Sequence, residues 1–503
     1  MLTSAIRSGW EVRQHRRWPD LVAAALLLLA CAAFMFLDHR TPPIILWDES
    51  RLAVNALEMH LRGWSLVTTY GFVPDLWNTK PPLMIWLMNA SMTLFGPSEL
   101  ALRLPSMIAA LATLLVVFVF VRRVTYSLGT AALAVLLLSA SLAFYGPHGA
   151  RSGDYDALLC FFTTSYLSLL FFAVHRRRPE TKLLVAIGVL VAGAALTKTV
   201  AGLVPGAGVA LYLLVSRRLR RGFATPRYVA MVIAALAPLA LFYVVREQLA
   251  PGYLKAVWFN DFAGRYHDQL GPLHRSPWFF VKELTGDWMF SAGPLALLAP
   301  LGVATSKGKA RQALLFALCC AASELVLISV PATRLIQYML PVLPWLAIAT
   351  AITAADQLRR IFPEGGGRPR ANVSAAIAAM IVVAIGIVAV KSRYEVLPRE
   401  TFYAEGGYGA LFETVHDGGI ERLTVIEPGM DVSGIKAYAP VLRFYTLLWN
   451  ERGMTIDRAA RLPASLPQEG ALASCDARLS QALVAMGGER VGLQYCAFVP
   501  ARR

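Results

Sequence analysis

A chain of 503 residues with 56% apolar residues, 16% charged residues and a mean hydropathy of +0.53 lacks the polar side chains to cover three or four soluble domains. The same numbers exclude disordered, collagen-like and repeat architectures and leave a polytopic membrane protein. The net charge of +16 is not a nucleic-acid signal, because the basic residues sit in short runs between apolar stretches.

In chain order, eleven stretches approach the ~20 apolar residues needed to cross ~30 Å of hydrocarbon as a helix. They are 20–37, 101–121, 129–146, 156–174, 183–200, 202–216, 228–249, 288–305, 312–330, 335–354 and 373–390. The fifth and sixth also read as one re-entrant unit, so the count is open by one or two. Leu28-Leu29-Ala30-Cys31 has the look of a lipoprotein cleavage site, but the apolar run continues through Leu37, as an uncleaved anchor would. Alternate loops gather 22 Lys and Arg on one side, among them Arg122, Arg123, Lys182, Arg217, Lys307, Lys309, Arg359 and Arg360. That side is expected to be cytoplasmic, with the amino terminus there and the carboxyl terminus outside. The fold expected is therefore mostly α: a transmembrane domain over 1–391 with outer loops 38–100 and 250–287, then a small outer α/β domain over 392–503. Within the latter, 423–427 reads as a strand and 438–450 as helix or strand. Cys31, Cys160, Cys319 and Cys320 lie in spans as packing residues, whereas Cys475 and Cys496 share an oxidising compartment and are expected to pair.

Polar chemistry collects in the outer loops. Asp48 and Glu49, followed by Arg51, stand where the chain leaves the first span, a costly place for charge unless it is used or paired. Capping by Asp48 or Ser50 of a helix running through Glu58 is the plain alternative. Lys80 precedes Pro81 and Pro82, which start a helix, so an ammonium stands beside a helix N-terminus; a snorkelling lysine would look the same. Asp156 lies at the mouth of the fourth span, Lys198 at the outer end of the fifth, and Arg265, Arg334 and Tyr338 in or after the last two outer loops. As a set, these describe a site with carboxylates to deprotonate a hydroxyl and cations to hold a phosphate. There is no P-loop, Rossmann glycine pattern, HExxH or Cys/His cluster, so neither a nucleotide nor zinc is expected as cofactor.

Asp48-Glu49-Ser50-Arg51, Lys80-Pro81-Pro82-Leu83, Leu94-Phe95-Gly96, Arg103-Leu104-Pro105-Ser106, Leu196-Thr197-Lys198 and Arg334 through Pro341 follow one another in a specific order. This order resembles the GT-C membrane glycosyltransferases related to protein O-mannosyltransferases, and most closely the bacterial aminoarabinose transferases that modify lipid A, over about residues 40–345. The resemblance implies a sugar donor linked to polyprenyl phosphate, and an acceptor that is an envelope glycolipid, a glycan or a protein. The reaction would run at the outer face of a bacterial inner membrane, with the bilayer itself as a partner and no nucleic acid. It implies Asp48 as catalytic carboxylate and Asp156 as second essential acid, with Glu49 beside them. Lys80, Arg265 and Tyr338 would hold the lipid phosphate, supported by Arg51, Lys198 and Arg334. Thr79 stands where the aminoarabinose transferases usually carry a glutamate, so sugar and acceptor stay open, as does a divalent metal. A secondary transporter or lipid-linked-sugar flippase is the alternative; it would favour mid-span charges and internal repeats, which are not seen.

Overall fold

The computed structural model describes residues 17–36, 44, 48–176, 178–217, 226–263, 275–285, 293–361, 407–428, 439–463, 465–491 and 496–501. Arg265, the span expected over 373–390 and the expected boundary at 391 lie outside the described residues.

The chain is a mostly helical, multi-pass membrane protein. The first helix, α1 (Arg17–Phe36), is followed by α2 (Asp48–Arg62), the short hairpin β1 (Thr69–Tyr70) and β2 (Val73–Pro74), and α3 (Leu83–Phe95). Gly71 and Phe72 both have positive φ, 72° and 60°, the backbone a two-residue hairpin turn needs to match strand twist. Next come α4 (Glu99–Thr125), α5 (Leu128–Ser139), α6 (Tyr155–Val174), α7 (Thr181–Lys198), α8 (Ala207–Val215), α9 (Pro226–Leu249), α10 (Gly308–Ser329) and α11 (Leu343–Ile361). Ser98 caps α4 by accepting from the Ala101 amide at 3.1 Å, and Asp154 caps α6 by accepting from the Tyr155 amide at 2.6 Å.

Among the described residues six segments are long and apolar enough to cross a membrane: Glu99–Thr125, Tyr155–Val174, Thr181–Gly202, Pro226–Leu249, Gly308–Ser329 and Ile336–Ile361. Two of the expected spans are not continuous helices. The stretch 129–146 breaks at Ala140 and Ser141, resuming only as the turn Leu142–Tyr145. The described part of 288–305 is divided into Gly293–Ala296, Ala299–Leu301 and Gly302–Thr305, where Pro294 and Pro300 withhold backbone donors. Gly302 lets this segment press onto α11, since a Cβ there would lie 2.2 Å from Thr353 Oγ1. The fifth and sixth stretches are separate helices joined by tight turns over 199–206, with Thr199 at φ 45°.

The membrane core is centred on rings from four helices. Phe120 meets Phe171 and Trp345 edge-on at 5.3 and 5.8 Å, and Phe316 meets the same two at 5.3 and 5.5 Å. Arg122 and Asp20, 2.9 Å apart, tie α1 to the far end of α4.

The carboxyl-terminal region contains α12 (Tyr408–Asp417), β3 (Arg422–Ile426), α13 (Pro440–Glu451), β4 (Thr455–Ala459), β5 (Ala471–Ser474), α14 (Ala477–Ala485), β6 (Glu489–Val491) and β7 (Cys496–Pro500). The five strands form one sheet in the order β4-β3-β5-β7-β6, parallel across β4, β3 and β5 and antiparallel across β5, β7 and β6. The segment left open between helix and strand is the helix α13, with Pro440 in its first turn. Cys475 and Cys496 are joined in a disulfide.

This region is not a free-standing appendage. Leu52, Leu57, Met84 and Met88 of α2 and α3 share one apolar core with Phe412, Phe444, Tyr445 and Leu448 of α12 and α13. Arg443 donates to Glu58 Oε1 through Nε and Nη2 at 2.9 and 2.7 Å, and the Tyr445 hydroxyl donates to Glu99. Arg452 donates to the Pro97 carbonyl at 3.1 Å.

At the end of β3, burial pushes the Glu427 carboxyl above its usual range, against the opposing effect of the Tyr408 hydroxyl that donates to it. A raised carboxyl stabilises the fold below the usual glutamate range and loses that contribution as pH climbs through its folded value. Glu427→Gln keeps the acceptor for Tyr408 and removes the charge. The variant is expected to match the wild type near pH 4.5 and to melt higher at pH 8, in thermal unfolding at the two pH values.

Candidate active site

Four local features deliver charge to one end of the helical bundle. The amino terminus of α2 presents Asp48, whose side chain is 55% exposed. The loop before α6 carries His148 and Asp154, the first turn of α6 carries Asp156, and the last turn of α7 carries Lys198. A buried polar lattice holds the segment that delivers Lys80. Asp75 accepts from Arg51 Nε at 2.9 Å, from Asn55 Nδ2 at 3.1 Å, and from the amides of Trp77 and Asn78 at 2.9 and 3.2 Å. Asn78 donates to Asn55 at 2.7 Å and accepts from the Tyr155 hydroxyl at 3.0 Å, while the Tyr253 hydroxyl donates to the Thr79 carbonyl at 2.7 Å. Lys80 then emerges with its ammonium 3.0 Å from Thr79 Oγ1 and paired with Asp261.

From Asp48 through His148, Asp154 and Lys198 to Asp156 the charges alternate in sign. His148 Nδ1 stands 3.7 Å from Asp48 Oδ2 and is paired with Asp154. Burial alone would lower the imidazolium, but Asp154 and then Asp48 outweigh it and push His148 up to about 9. Asp154 is held below the usual carboxylate range, because His148 and Lys198 outweigh its burial. The stabilisation from His148 is lost as pH rises through about 9 and that from Asp154 as pH falls through and below the usual carboxylate range, so the pair stabilises the loop between those limits. Lys198 donates to both oxygens of the buried Asp156 at 2.6 and 2.8 Å, and its ammonium lies 5.7 Å from the Tyr338 ring centre. Asp156, Lys198, Asp261, Glu324 and Tyr338 line one cavity of about 150 Å³, closed on other sides by Leu327, Ile328 and Pro331. One ordered water needs only ~10–15 Å³ on this measure, so the space accommodates a small polar ligand.

The structure thus brings Asp48, Asp156, Lys80, Lys198 and Tyr338 to one end of the bundle, while Glu49, Arg51 and Arg334 are engaged in contacts outside the cavity lining. Glu49 is buried, accepts from Arg103 Nε and Nη2 at 2.7 and 3.0 Å and from the Gly153 amide at 2.7 Å, and so pins α2 to α4 and the loop before α6. Successive residues on a helix point ~100° apart, which turns Glu49 inward where Asp48 faces out. Arg51 forms a two-point pair with Asp75, 2.9 and 2.5 Å, beneath the rings of Tyr70 and Trp77. Arg334 is likewise a loop clamp, exchanging bonds with Arg275 through both backbone carbonyls at 2.8 and 2.6 Å. Arg265 lies outside the described residues.

Asp48, His148 and Asp154 each offer one ligand atom within 4.8 Å of the others, and are the described residues that can gather on a cation. A cation there would displace the imidazole proton, so its affinity would climb with pH.

A family model described as dolichyl-phosphate-mannose-protein mannosyltransferase matches residues 79–245. An uncharacterized protein of Aquifex aeolicus (strain VF5) is 27% identical over 308 residues, 60% of this chain and 58% of that one. The undecaprenyl phosphate-alpha-4-amino-4-deoxy-L-arabinose arabinosyl transferase 1 of Sodalis glossinidius (strain morsitans) is 26% identical over 408 residues, 72% of this chain and 66% of that one. The chain therefore spans 58% and 66% of the length of these two curated relatives. ArnT from Cupriavidus metallidurans bound to undecaprenyl phosphate superposes with a TM-score of 0.61 at 18% identity, covering 94% of this chain and 97% of that chain. The chain shares the fold of that ArnT structure. The expected resemblance to membrane glycosyltransferases that use a polyprenyl-phosphate sugar is borne out.

Within this fold, sequence reasoning missed His148, Asp154, Asp261 and Glu324 as parts of the charged cluster. His148 sits in a glycine-flanked loop at φ 65°, and Asp154 presents as a helix cap, so neither is marked as chemical. Glu324 did carry a signal: it is a lone acid within an apolar span.

Proposed function

We propose that the protein transfers a sugar from a polyprenyl-phosphate carrier to an acceptor at the membrane face away from its basic loops, the outer face of a bacterial inner membrane. The observation that carries this is the cavity where the Asp156–Lys198 pair and Asp261, the partner of Lys80, meet apolar walls, with Asp48 exposed nearby. A phosphate on a lipid carrier matches that mixture, taking Lys80 from Asp261 in a stronger charge-assisted contact. The donor named in the Sodalis relative and the undecaprenyl phosphate bound to ArnT support the same class of ligand.

The reaction is a single displacement. The acceptor oxygen bonds to the anomeric carbon as the carbon–oxygen bond to phosphate breaks, and the electron pair leaves on polyprenyl phosphate. Asp48 takes the proton of an acceptor hydroxyl, while Lys80 stabilises the departing phosphate, with Lys198 and Tyr338 beside it. A phosphate is already a good leaving group, so no acid is required on that side and the step needs no cofactor. The acceptor is lipid A or another envelope glycan, or a protein. If it reacts through a phosphate, no base is needed and Asp48 only positions it.

The test is release of polyprenyl phosphate by the purified protein from a panel of polyprenyl-phosphate sugars, with membrane extract as acceptor source. Release from one donor is expected; none from any donor would overturn the reading. Running the assay with and without a chelator reads whether a divalent cation takes part, for which Asp48, His148 and Asp154 would be the ligands. Buried Glu324 has no hydrogen-bond partner for Oε2 among the described residues, and it lines the cavity. Glu324→Leu is expected to raise KM for the donor several-fold with a smaller change in kcat, as loss of a sugar-hydroxyl contact made equally in ground and transition states would.

A further inference from the structure

A second and larger cavity, about 600 Å³, lies at the other ends of the helices, where α4 turns into α5, α10 begins and α11 ends. Its lining carries four cations, Lys307, Lys309, Arg359 and Arg360, against one carboxylate, Asp356. Three features there ask for an anion. The 22-residue helix α10 starts without a side-chain cap and with no acid in its first turn, so its amide donors and positive pole face the cavity mouth. Lys307, Lys309 and Arg311 stand at that same positive pole, an unfavourable placement that a bound anion relieves. Two hydroxyls lining the cavity, Thr130 Oγ1 and Ser306 Oγ, are buried in residues only 1% and 4% exposed and have no hydrogen-bond partner among the described residues. A buried hydroxyl left unpaired costs roughly 1–3 kcal/mol, which an acceptor oxygen in the cavity would recover. Val124, Ala310 and Ile352 give the same space an apolar wall.

We propose that this cavity binds the phosphate of an anionic glycerophospholipid headgroup, with Lys307 and Arg359 pairing with its charge, Thr130 and Ser306 donating to its oxygens, and the apolar wall meeting its glycerol end. The site is separate from the proposed transfer site and does not depend on that activity. Basic pockets between spans on the positively charged side of a membrane protein suit such headgroups, at about 1 kcal/mol per cation near the surface.

The test compares the purified, delipidated protein in phosphatidylcholine nanodiscs with and without phosphatidylglycerol, reading lipid retention by native mass spectrometry and the melting temperature. Wild type is expected to retain phosphatidylglycerol and to melt higher with it. The double variant Lys307→Gln/Arg359→Gln is expected to bind it roughly 30-fold more weakly, and Thr130→Val to weaken it without touching charge. Lys182→Gln, a basic-side change outside the cavity, is expected to leave retention unchanged. Equal behaviour in both lipids, or undiminished retention by the double variant, overturns the proposal. If inorganic phosphate in phosphatidylcholine discs reproduces the whole thermal shift, the ligand is free phosphate and the lipid assignment fails.

Discussion

Arg103→Leu is expected to be among the most damaging single changes in this protein, lowering stability by about 3–5 kcal/mol. Arg103 and Glu49 are both buried, and their two-point contact is the main neutraliser of each charge. With the guanidinium gone, the Glu49 carboxylate keeps the Gly153 amide at 2.7 Å but loses its buried two-point counter-charge. Replacing both partners by leucine removes the two charges together, and should recover most of the loss. Denaturant titration of the wild type, the single variant and the double variant, all in detergent, reads this directly. An unchanged midpoint for Arg103→Leu would sink the argument. Because Glu49 adjoins Asp48, the single variant should also depress transfer by misplacing the start of α2, with Asp48 itself intact.

Lys80→Ala is expected to reduce release of polyprenyl phosphate by roughly 10²–10³-fold, the scale seen when one preorganised charge-stabilising group is removed. Asp48→Asn keeps the shape and removes the base. If a hydroxyl is the acceptor, its loss falls in the ~10²–10⁴ range of general-base catalysis. If a phosphate is the acceptor, Asp48→Asn should be clearly milder than Lys80→Ala. The comparison therefore reports the acceptor's chemistry before the acceptor is known. Full activity in Lys80→Ala would remove the lysine from the mechanism.

Much of the bundle was legible because a span announces itself by length and apolarity alone; α4, α6, α7, α9 and α10 fall where expected. The break at Ala140–Ser141 was not, since no proline or glycine marks it. In the site, Asp48, Lys80, Asp156 and Lys198 were legible as charges at a lipid boundary, where an unused charge is costly. Partners were not, because pairing is a property of the fold: Lys80 meets Asp261 181 positions away, and Glu49 meets Arg103 54 positions away. Arg51 and Arg334 looked equally available for phosphate, and only three dimensions show Asp75 and the Arg275 loop already holding them.

The contact between Glu58 and Arg443 joins residues 385 apart. At ~5–20 residues per second of synthesis, α2 waits roughly 20–80 s for the arginine that completes its outer face. In that interval Glu58 is held by its own neighbourhood: the Thr69 hydroxyl at 2.7 Å and the Gly71 and Phe72 amides, each at 2.9 Å. The hairpin thus acts as a placeholder during biogenesis, keeping the carboxylate satisfied and the helix in register until the last fifth of the chain arrives to cover it.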